Sequence, residues 1–387
     1  MKKVPKLRFK EFTEEWEEKK LGDITNLIAG GTPSTLKKEY WNGDIKWMNS
    51  GELNLKFIQD VQGRITEIGL KSSSTRLIPK FCILIGLAGQ GKTRGTVAIN
   101  LIELCTNQSI AAILPNFKCF KPMFLYYNLD NRYEELRNLS TGSGGRGGLN
   151  LNILKNISCI FPALKEQEKI ADFLSNIDKE ISIIEKKLKL FNEYKRGIMQ
   201  KIFSQELRFK DENRNDYPEW EEKKLGDISQ IQTGNKDLEN KTENGVYPFF
   251  VRSKNIEKID TYSYEGEAIL IPGDGKIGEV YHYINGKFDY HQRVYKISDF
   301  KGISCKYIYY YLYQNFKKHA LTYTVKATVD SLRLPTIKEF IINLPYLEEQ
   351  QKIVDFLSAI DTKIEKISDE LEELKEFKKG LLQQMFV

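Results

Sequence analysis

Apolar residues recur at alternating spacings of four and three positions along two segments of the chain, 165–204 and 347–387. The first series is Ile170, Leu174, Ile177, Ile181, Ile184 and Leu188. The second series is Ile353, Leu357, Ile360, Ile364, Ile367 and Leu371. This spacing is typical of the a/d seam of a coiled coil, and neither segment contains proline. The pattern predicts two long amphipathic helices of about 38 residues, or about 57 Å each.

The blocks that surround these helices occur twice. Residues 15–24 return letter for letter as residues 219–228, and residues 162–178 return as 345–361 with the pattern P-x-L-x-E-Q-x-K-I-x-D-F-L-S-x-I-D. The inserts between these blocks, 27–161 and 230–344, scarcely resemble each other in sequence. A duplicated frame with two divergent inserts indicates one kind of task performed on two different targets.

The two helices share one register, since every seam position of the first recurs 183 positions later in the second. Lys195 and Lys378 interrupt the two seams at the same place. A solitary amphipathic helix usually packs on a globular core, but two copies in one register favour mutual pairing. Because one helix follows each half of a duplicated chain, we expect them to be antiparallel about a pseudo-twofold axis.

A short third repeat extends this arrangement. The segment 205–210, which follows the first helix, contains Leu-Arg-Phe-Lys, and the same four residues occur in the segment 5–10. We therefore expect the segment 5–10 to lie beside the end of the second helix, which would make the architecture nearly circular.

The inserts contain runs of β-branched and aromatic residues bounded by Gly, Asn and Pro, as in 81–85, 96–100, 268–271 and 279–284. The expected fold class is α+β: two mixed, strand-rich domains, two long antiparallel coiled-coil helices that separate them, and a pseudo-twofold internal repeat. The expected boundaries are 1–164 for the first domain, 165–204 for the central helix, 205–346 for the second domain and 347–387 for the C-terminal helix.

Composition adds little to this picture. The net charge of +6 and the pI near 8.7 favour an anionic partner without identifying it. The five cysteines form no C-x-x-C pair, which argues for a reducing compartment and against structural zinc. The three histidines have neither metal-ligand spacing nor a nucleophile partner. Since no apolar run is long enough to span a bilayer and no signal peptide is recognised, we expect a cytoplasmic protein without a membrane partner.

One motif points to a different class of protein. Residues 86–93, from Gly86 to Thr93, fit the P-loop pattern G-x-x-x-x-G-K-[ST] and predict, taken alone, an ATP-binding protein. A P-loop needs a helix after it, because the N-terminus of that helix binds the phosphates. The residues that follow, 94–99, instead contain Gly and β-branched residues, and the corresponding segment 268–280 lacks the full signature. We favour a hairpin with a basic, Gly-rich tip in both halves and keep the P-loop as the alternative.

The paired helix-opening blocks, together with W-E-E-K-K-L-G-D-I before each insert, resemble the specificity subunits of Type I restriction–modification systems. The resemblance covers essentially the whole chain. The stretch 30–34, the stretch 45–47 and the pair Asn107-Gln108 also resemble segments of the target-recognition domains of that family, although they are far less specific than the helix blocks.

The resemblance implies a non-catalytic subunit that reads double-stranded DNA, one half of a bipartite asymmetric site in each insert, with the helices as a spacer. Two modification subunits would methylate adenine N6, and restriction subunits would add translocase and nuclease activity. The chain itself would hold no cofactor, while S-adenosylmethionine, ATP and magnesium would belong to the partner subunits. Two domains on one face of a duplex favour half-site centres about one helical turn, roughly 10 bp, apart.

Candidate DNA contacts are Lys, Arg, Asn, Gln and His residues of the two inserts. Asn and Gln can read adenine bidentately, Arg can read guanine, and Lys and Arg contact phosphates. In the first domain the candidates are Lys37, Lys38, Lys92, Arg94, Asn107, Gln108 and Arg146. In the second domain they are Lys236, Arg252, Lys254, Lys276, His291, Gln292, Arg293 and Lys326. The sequence leaves open the half-sequences, the spacer length, which of these residues touch bases, and whether the subunit binds DNA alone.

Overall fold

The computed structural model of the chain describes residues 4–89, 93–139, 148–323 and 331–387. It divides into two compact units. The first unit comprises residues 1–185 and 370–387, and the second comprises residues 186–369. Each unit therefore contains one of the divergent inserts together with a part of both long helices.

The first unit is a mixed α+β structure. Its strands are β1 (Glu17–Lys20), β2 (Leu27–Ala29), β3 (Trp41–Met48), β4 (Phe57–Ile58), β5 (Gly63–Ile65), β6 (Ile83–Gly86), β7 (Val97–Asn100), β8 (Cys105–Thr106), β9 (Ile110–Ile113) and β10 (Ser158–Phe161). Its helices are α1 (Leu21–Ile24), α2 (Glu67–Lys71), α3 (Pro122–Asp130), α4 (Tyr133–Asn138), α5 (Leu151–Lys155), the first part of α6 (Leu164–Phe203) and the last part of the C-terminal long helix, with short 3-10 turns at Lys38–Tyr40 and Ser50–Leu55. The strands form a five-stranded sheet in the order β2-β9-β6-β7-β4, a three-stranded sheet β5-β3-β8 and the pair β1-β10.

The second unit is also a mixed α+β structure, with fewer strands and short helices than the first. Its strands are β11 (Glu221–Lys224), β12 (Gln230–Thr233), β13 (Tyr247–Phe250), β14 (Ile256–Ile259), β15 (Tyr264–Pro272), β16 (His282–Tyr290), β17 (Val294–Ser298) and β18 (Ile341–Leu344). Its helices are the last part of α6, α7 (Leu225–Ile228), α8 (Cys305–Tyr323), α9 (Leu334–Lys338) and the first part of α10 (Leu347–Met385), with a 3-10 turn at Leu238–Asn240. Six strands form one sheet in the order β12-β17-β15-β16-β13-β14, and β11 pairs with β18.

The two inserts share a strand topology in spite of their unlike sequences. In the first unit β9 pairs antiparallel with both β2 and β6, and β6 pairs antiparallel with β7. In the second unit β17 pairs in the same way with β12 and β15, and β15 pairs with β16. A parallel pairing also recurs, β3 with β8 and β13 with β16. The duplication therefore extends through the inserts, where the sequence alone does not show it.

The helix-opening block is explained by the contacts of its Glu-Gln pair. In the first unit, Glu166 accepts two hydrogen bonds from the Arg8 guanidinium at 2.7 and 2.8 Å. Gln167 donates to the Pro162 carbonyl and accepts from the backbone N–H of Lys121, both at 2.8 Å. These contacts fix the first turn of α6 against the β1-β10 strand pair and the segment before α3.

The second unit repeats these contacts at the equivalent residues. Arg208 donates to both carboxylate oxygens of Glu349, at 3.2 and 2.8 Å. Gln350 donates to the Pro345 carbonyl at 2.9 Å and accepts from the backbone N–H of Ser304 at 3.0 Å. The Glu-Gln pair occurs in both blocks because, in each unit, both side chains form hydrogen bonds with residues of that unit.

The long helices run antiparallel within each unit. In the first unit, Asp178 of α6 pairs with Lys378 of α10, and Glu185 pairs with Lys375. Residue numbers therefore rise along α6 in the direction in which they fall along α10. In the second unit, Lys195 pairs with Asp361, and Lys363 lies over the Phe191 ring. The α+β class, the internal repeat and the two long helices are thus confirmed.

Most of the predicted seam residues are buried. The buried members are Ile170, Leu174, Ile177, Ile181, Ile353, Leu357, Ile360, Ile367 and Leu371, and the half-buried ones are Ile184, Leu188 and Ile364. Part of the seam packs on the globular core as well as on the other helix, because Ile353, Leu357 and Ile360 join the core cluster that includes Tyr307 of α8. Packing on a globular core and pairing with the other long helix therefore both occur.

The segment around Leu7 lies beside the end of α10, as expected from the short third repeat. The backbone N–H of Leu7 donates to the carbonyl of Gln384 at 2.9 Å. The equivalent contact after the first helix joins Leu207 to Lys201 at 3.0 Å. In both units the Leu-Arg-Phe-Lys segment thus follows the end of a long helix, although in the first unit that helix comes from far along the chain.

Candidate nucleic-acid interface

A tight turn between β16 and β17 carries three of the predicted contact residues of the second unit, His291, Gln292 and Arg293. The His291 imidazole is buried, only 2% exposed, and its Nδ1 accepts the backbone N–H of Arg293 at 2.8 Å. The turn is closed by the N–H of Val294, which donates to the His291 carbonyl at 2.9 Å. A direct contact of His291 with DNA does not fit this burial; the side chain instead fixes the turn that exposes Gln292 and Arg293.

The first unit has the same turn between β8 and β9, built on Asn107 and Gln108. Asn107 Oδ1 accepts the backbone N–H of Ser109 at 3.1 Å, as His291 Nδ1 does for Arg293. Ile110 N–H donates to the Asn107 carbonyl at 3.2 Å and closes the turn. Asn107 is half-buried, whereas Gln108 is exposed. An amide and an imidazole therefore perform the same local task, since each supplies one acceptor to the residue two positions ahead.

The backbone around the two turns is bonded alike. In the first unit, the Ser109 carbonyl accepts from Leu87, whose own carbonyl accepts from Leu149, at 2.8 and 3.1 Å. In the second unit, the Arg293 carbonyl accepts from Gly273, whose carbonyl accepts from Leu332, both at 2.7 Å. Because these bonds join the turn to two further segments in each unit, the two turns occupy equivalent positions in the two folds.

In each unit, a glycine in a separate loop packs against the residue that precedes the turn. A Cβ at Gly30 would overlap the carbonyl oxygen of Thr106, and a Cβ at Gly234 would overlap that of Tyr290. Thr106 and Tyr290 are the residues directly before the two turns. The glycines thus allow the loops that carry Thr32 and Asp237 to approach the turns closely.

These loops hold the two glutamine amides. Thr32 Oγ1 donates to Gln108 Oε1. Gln292 Nε2 donates to Asp237 Oδ2 at 2.6 Å. The pKa of Asp237 is lowered, chiefly by the backbone N–H of Leu238 and also by His291 and Gln292. The carboxylate is ionised at neutral pH and acts as an acceptor for Gln292.

A polar cavity of about 450 Å³ adjoins the turn of the second unit. Its polar lining includes Thr233, Gln292, Arg293, Tyr295, Ser331 and Arg333. Arg333, which lies directly before α9, is absent from the sequence-based candidates because nothing in its neighbourhood, Leu-Arg-Leu-Pro, marks it as a contact. Two guanidinium groups and an amide around one cavity form a surface suited to base edges or phosphates.

Further basic residues of the second unit lie near carboxylates. Lys317 donates to Glu279 at 2.7 Å, and it lowers the pKa of that carboxyl most strongly, with smaller contributions from the predicted contact residues Lys276 and Lys254. Arg252 lies 3.3 Å from Asp274, and the backbone carbonyl of Lys236 accepts the N–H of Gln292 at 2.8 Å. Lys236 thus meets Gln292 at the turn, whereas Arg252 lies near Asp274, and Lys254 and Lys276 lie near Glu279.

The remaining candidates of the first unit are less concentrated. Lys37 is exposed and donates to the Tyr40 hydroxyl at 3.1 Å, which raises the pKa of Lys37. Lys38 is exposed, and Arg94 is half-buried at the turn that precedes β7. Three candidates, Lys92, Arg146 and Lys326, lie outside the described residues.

The P-loop alternative is not supported. The segment after Thr93 becomes β7, which pairs antiparallel with β6, so a strand stands where a P-loop requires a helix. Gly86 donates to the Thr96 carbonyl at 3.0 Å and accepts from Gly95 at 2.9 Å, which are the bonds of a hairpin. In the second unit β15 and β16 form the corresponding antiparallel pair, with Leu270 opposite His282. The antiparallel strands of the predicted hairpin are confirmed in both units, while residues 90–92 at the tip of the first hairpin lie outside the described residues.

The cysteines offer no reactive group in this region. Cys82 and Cys105 are buried, and burial raises the pKa of their thiols to about 12 and about 11. Within the described parts of the chain, no three His, Cys, Asp or Glu side chains are grouped to hold a metal ion. Among the helices whose residues are described, none is both long and apolar enough to cross a membrane.

Comparison with known proteins identifies the family. The model of the Type I restriction modification DNA specificity domain matches twice, at residues 13–191 and 217–376. The chain is 26% identical to the MjaVIII specificity subunit of Methanocaldococcus jannaschii, with 95% of the chain and 91% of that subunit covered. It is 34% identical to the MjaIX specificity subunit of the same organism, over 63% of the chain and 59% of that subunit's length.

Solved structures show the same fold. The S subunit of a Type I system from M. genitalium superposes with a TM-score of 0.65 at 19% identity, and 99% of each chain is covered. A chain from a study of the assembly and conformational transition of the type I system gives a TM-score of 0.57 at 16% identity, with 96% of this chain and 97% of that one covered. The chain belongs to the family of Type I restriction–modification specificity subunits, the components that recognise DNA sequence.

Proposed function

We propose that each unit reads one half of a bipartite, asymmetric DNA site, and that the chain directs partner subunits to methylate adenine N6 or to restrict DNA at that site. The observation that carries the proposal is the pair of equivalent turns, at 107–108 and 291–292, in two domains that otherwise differ in sequence. A shared scaffold with different surroundings is the arrangement expected for two readers of two different half-sequences.

The chemistry of the second unit supports base reading combined with phosphate contact. Gln292 and Arg293 project from a turn that His291 and the strand backbone hold rigid. Arg333 lines the same cavity, and Lys254 and Lys276 lie near the Glu279 carboxylate. Phosphate contacts by Lys and Arg would fix register and give steep salt dependence, and the turn residues would supply sequence discrimination.

The retained frame supports binding of two copies of one partner. Residues 15–24 and 219–228 are identical, and much of the surface that they present is exposed. Two identical surfaces, one in each unit, are suited to two modification subunits. S-adenosylmethionine would be held by those subunits, and ATP and magnesium would be used by restriction subunits, so that this chain supplies recognition only.

The test is methylome sequencing of cells that express this chain with its modification subunit. We expect one bipartite, non-palindromic motif with N6-methyladenine in both halves. A gel shift of the purified pair on that motif should weaken steeply with salt, since each neutralised phosphate contributes a slope of about −0.9 in log K against log salt. A continuous motif, cytosine methylation, or ATP hydrolysis by the purified chain alone would contradict the proposed function.

A further inference from the structure

We infer that Gln108 and Gln292 are equivalent base-reading residues, and that each one contacts an adenine at the same relative position of its own half-site. The inference rests on the proposed function and names the base that the two turns recognise. It starts from the finding that these glutamines follow the acceptor residues Asn107 and His291 in turns with matching backbone bonds.

Both glutamine side chains are ordered by contacts within the protein. A surface glutamine is ordinarily a poor reader, because ordering a long side chain costs conformational entropy. Here the amide of Gln292 is already held by Asp237 at 2.6 Å, and that of Gln108 by Thr32. Both glutamines remain exposed in spite of these contacts. Each turn therefore presents an amide that is ordered before any ligand arrives.

The Gln292 amide has more hydrogen-bonding groups than its contact with Asp237 uses. A glutamine amide has two N–H donors and one carbonyl acceptor. Asp237 uses one N–H of Gln292, so the second N–H and Oε1 remain for a ligand. A donor beside an acceptor matches N7 and the N6 amino group of adenine in the major groove. Guanine presents two acceptors there, so its O6 would face Oε1 unfavourably.

The same edge is available in the first unit. Thr32 carries a hydroxyl, which can donate to Oε1 or accept from Nε2 when the amide rotates by half a turn. In the second orientation Gln108 presents the same donor and acceptor as Gln292. An edge that keeps an acceptor outward does not suit a phosphate, which has acceptors only. The shared glutamine therefore indicates a shared base rather than a shared backbone contact.

The experiment uses the full chain in complex with its modification subunit, and duplex libraries in which every position of the recognised site is varied. Gln108→Ala is expected to reduce discrimination at one adenine of one half-site, and Gln292→Ala at one adenine of the other half-site. Loss of a bidentate contact should lower the preference for adenine on the order of 10-fold to 100-fold at that position. Gln59→Ala and Gln200→Ala, exposed glutamines of the first and second unit, should leave both half-sites unchanged.

A conservative pair of variants sharpens the test. Gln108→Glu keeps an acceptor for the Thr32 hydroxyl but removes the N–H donor, so it should lose adenine preference while the complex still assembles and binds. Gln292→Glu would face the Asp237 carboxylate and should lose both the held geometry and the preference.

Three results would overturn the inference. An equal loss of affinity for all sequences, with a reduced salt slope, would make the glutamines phosphate contacts. Lost methylation with unchanged DNA affinity and selectivity would assign them to the partner subunit. A relaxed base other than adenine, in either half-site, would contradict the shared reading. Failure of the proposed function is separate, since it would appear in the unmutated complex as the absence of a bipartite motif.

Discussion

The ammonium group of Lys378 on α10 lies 2.5 Å from the carboxylate of Asp178 on α6. The Tyr127 hydroxyl donates to the same carboxylate at 2.7 Å, and the Lys378 ammonium lies 5.3 Å from the centre of the Tyr127 ring. The other unit repeats the arrangement with Lys195, Asp361 and Tyr310. The lysines that interrupt both apolar seams are therefore paired charges, each neutralised where the two helices meet.

This pair should contribute measurably to the stability of the first unit. Lys378→Ala leaves Asp178, whose side chain is only 16% exposed, without its counter-charge. We expect the free energy of unfolding to fall by about 1–2 kcal/mol, between the values for exposed and fully buried pairs. Urea unfolding of the single variants and of Lys378→Ala with Asp178→Ala should reveal coupling. Lys379→Ala, at an exposed neighbouring position, should change stability by less than about 0.5 kcal/mol.

A half-chain of residues 1–204 should form a homodimer. It carries Lys195 without Asp361, but Lys195 corresponds to Lys378, which in the first unit meets Asp178 and Tyr127. Lys195 of one copy is therefore expected to pair with Asp178 of the second copy. Together with the modification subunit, this dimer should methylate a palindromic site.

Light scattering at micromolar concentration checks this prediction. Lys195→Glu should disrupt the dimer by placing like charges together, and the further change Asp178→Lys should restore it. A half-chain that stays monomeric would show that the helices do not pair in the expected register.

Arg208→Ala should destabilise the second unit strongly. Glu349 is fully buried at its side chain, and Arg208 supplies its counter-charge. Removing one partner of a buried pair costs about 3–5 kcal/mol. The measurement is denaturant unfolding, with Arg196→Ala, an exposed position on α6, as the control. A loss below about 1 kcal/mol would mean that the remaining hydrogen bond from Trp220, at 3.1 Å, is sufficient to stabilise the carboxylate.

Arg333→Ala should weaken DNA binding by the assembled complex while its stability stays unchanged, since the Arg333 side chain is exposed beside the cavity. A phosphate contact would reduce the magnitude of the salt slope by about 1 and weaken all sequences alike, whereas a base contact would relax one position of one half-site by about 1–3 kcal/mol. Lys301→Ala, at an exposed turn of the same unit, should do neither. Unaltered binding in both assays would remove Arg333 from the interface.

The stability of the second unit should fall in mild acid because of His282. Burial lowers the pKa of this imidazole below its usual value of 6.5. Its stabilising contribution is therefore complete above the unfolded pKa and is lost as pH falls through the lower folded pKa. Thermal unfolding between pH 7 and pH 5 should show a smaller decline for His282→Gln, whose amide can still donate to the Ser253 carbonyl. Equal declines in both proteins would exclude this group as the cause.

The helices, their seam and the duplicated frame could be predicted because their signals are local or repeated. Their spacing places Ile170 and Leu174 on one face of a helix, and the pattern of the block 162–178 is recognisable in both copies. The equivalence of the two inserts could not be predicted from the sequence. It consists of matching backbone hydrogen bonds, which form with Asn107 in one unit and His291 in the other. Arg333 was missed since it reaches the cavity through tertiary folding alone, and the burial of His291 depends on a loop distant in sequence.

The first unit also has a consequence for synthesis on the ribosome. It needs residues 370–387, including Leu382, whose carbonyl accepts from Asn131, and Phe386, whose ring lies 5.3 Å from that of Phe124. These residues are translated only after all of residues 186–369. At a rate of about 5–20 residues per second, the N-terminal domain lacks residues 370–387 for roughly ten to forty seconds after residue 185 is made. Premature termination before residue 370 would therefore damage the part of the protein that was made first.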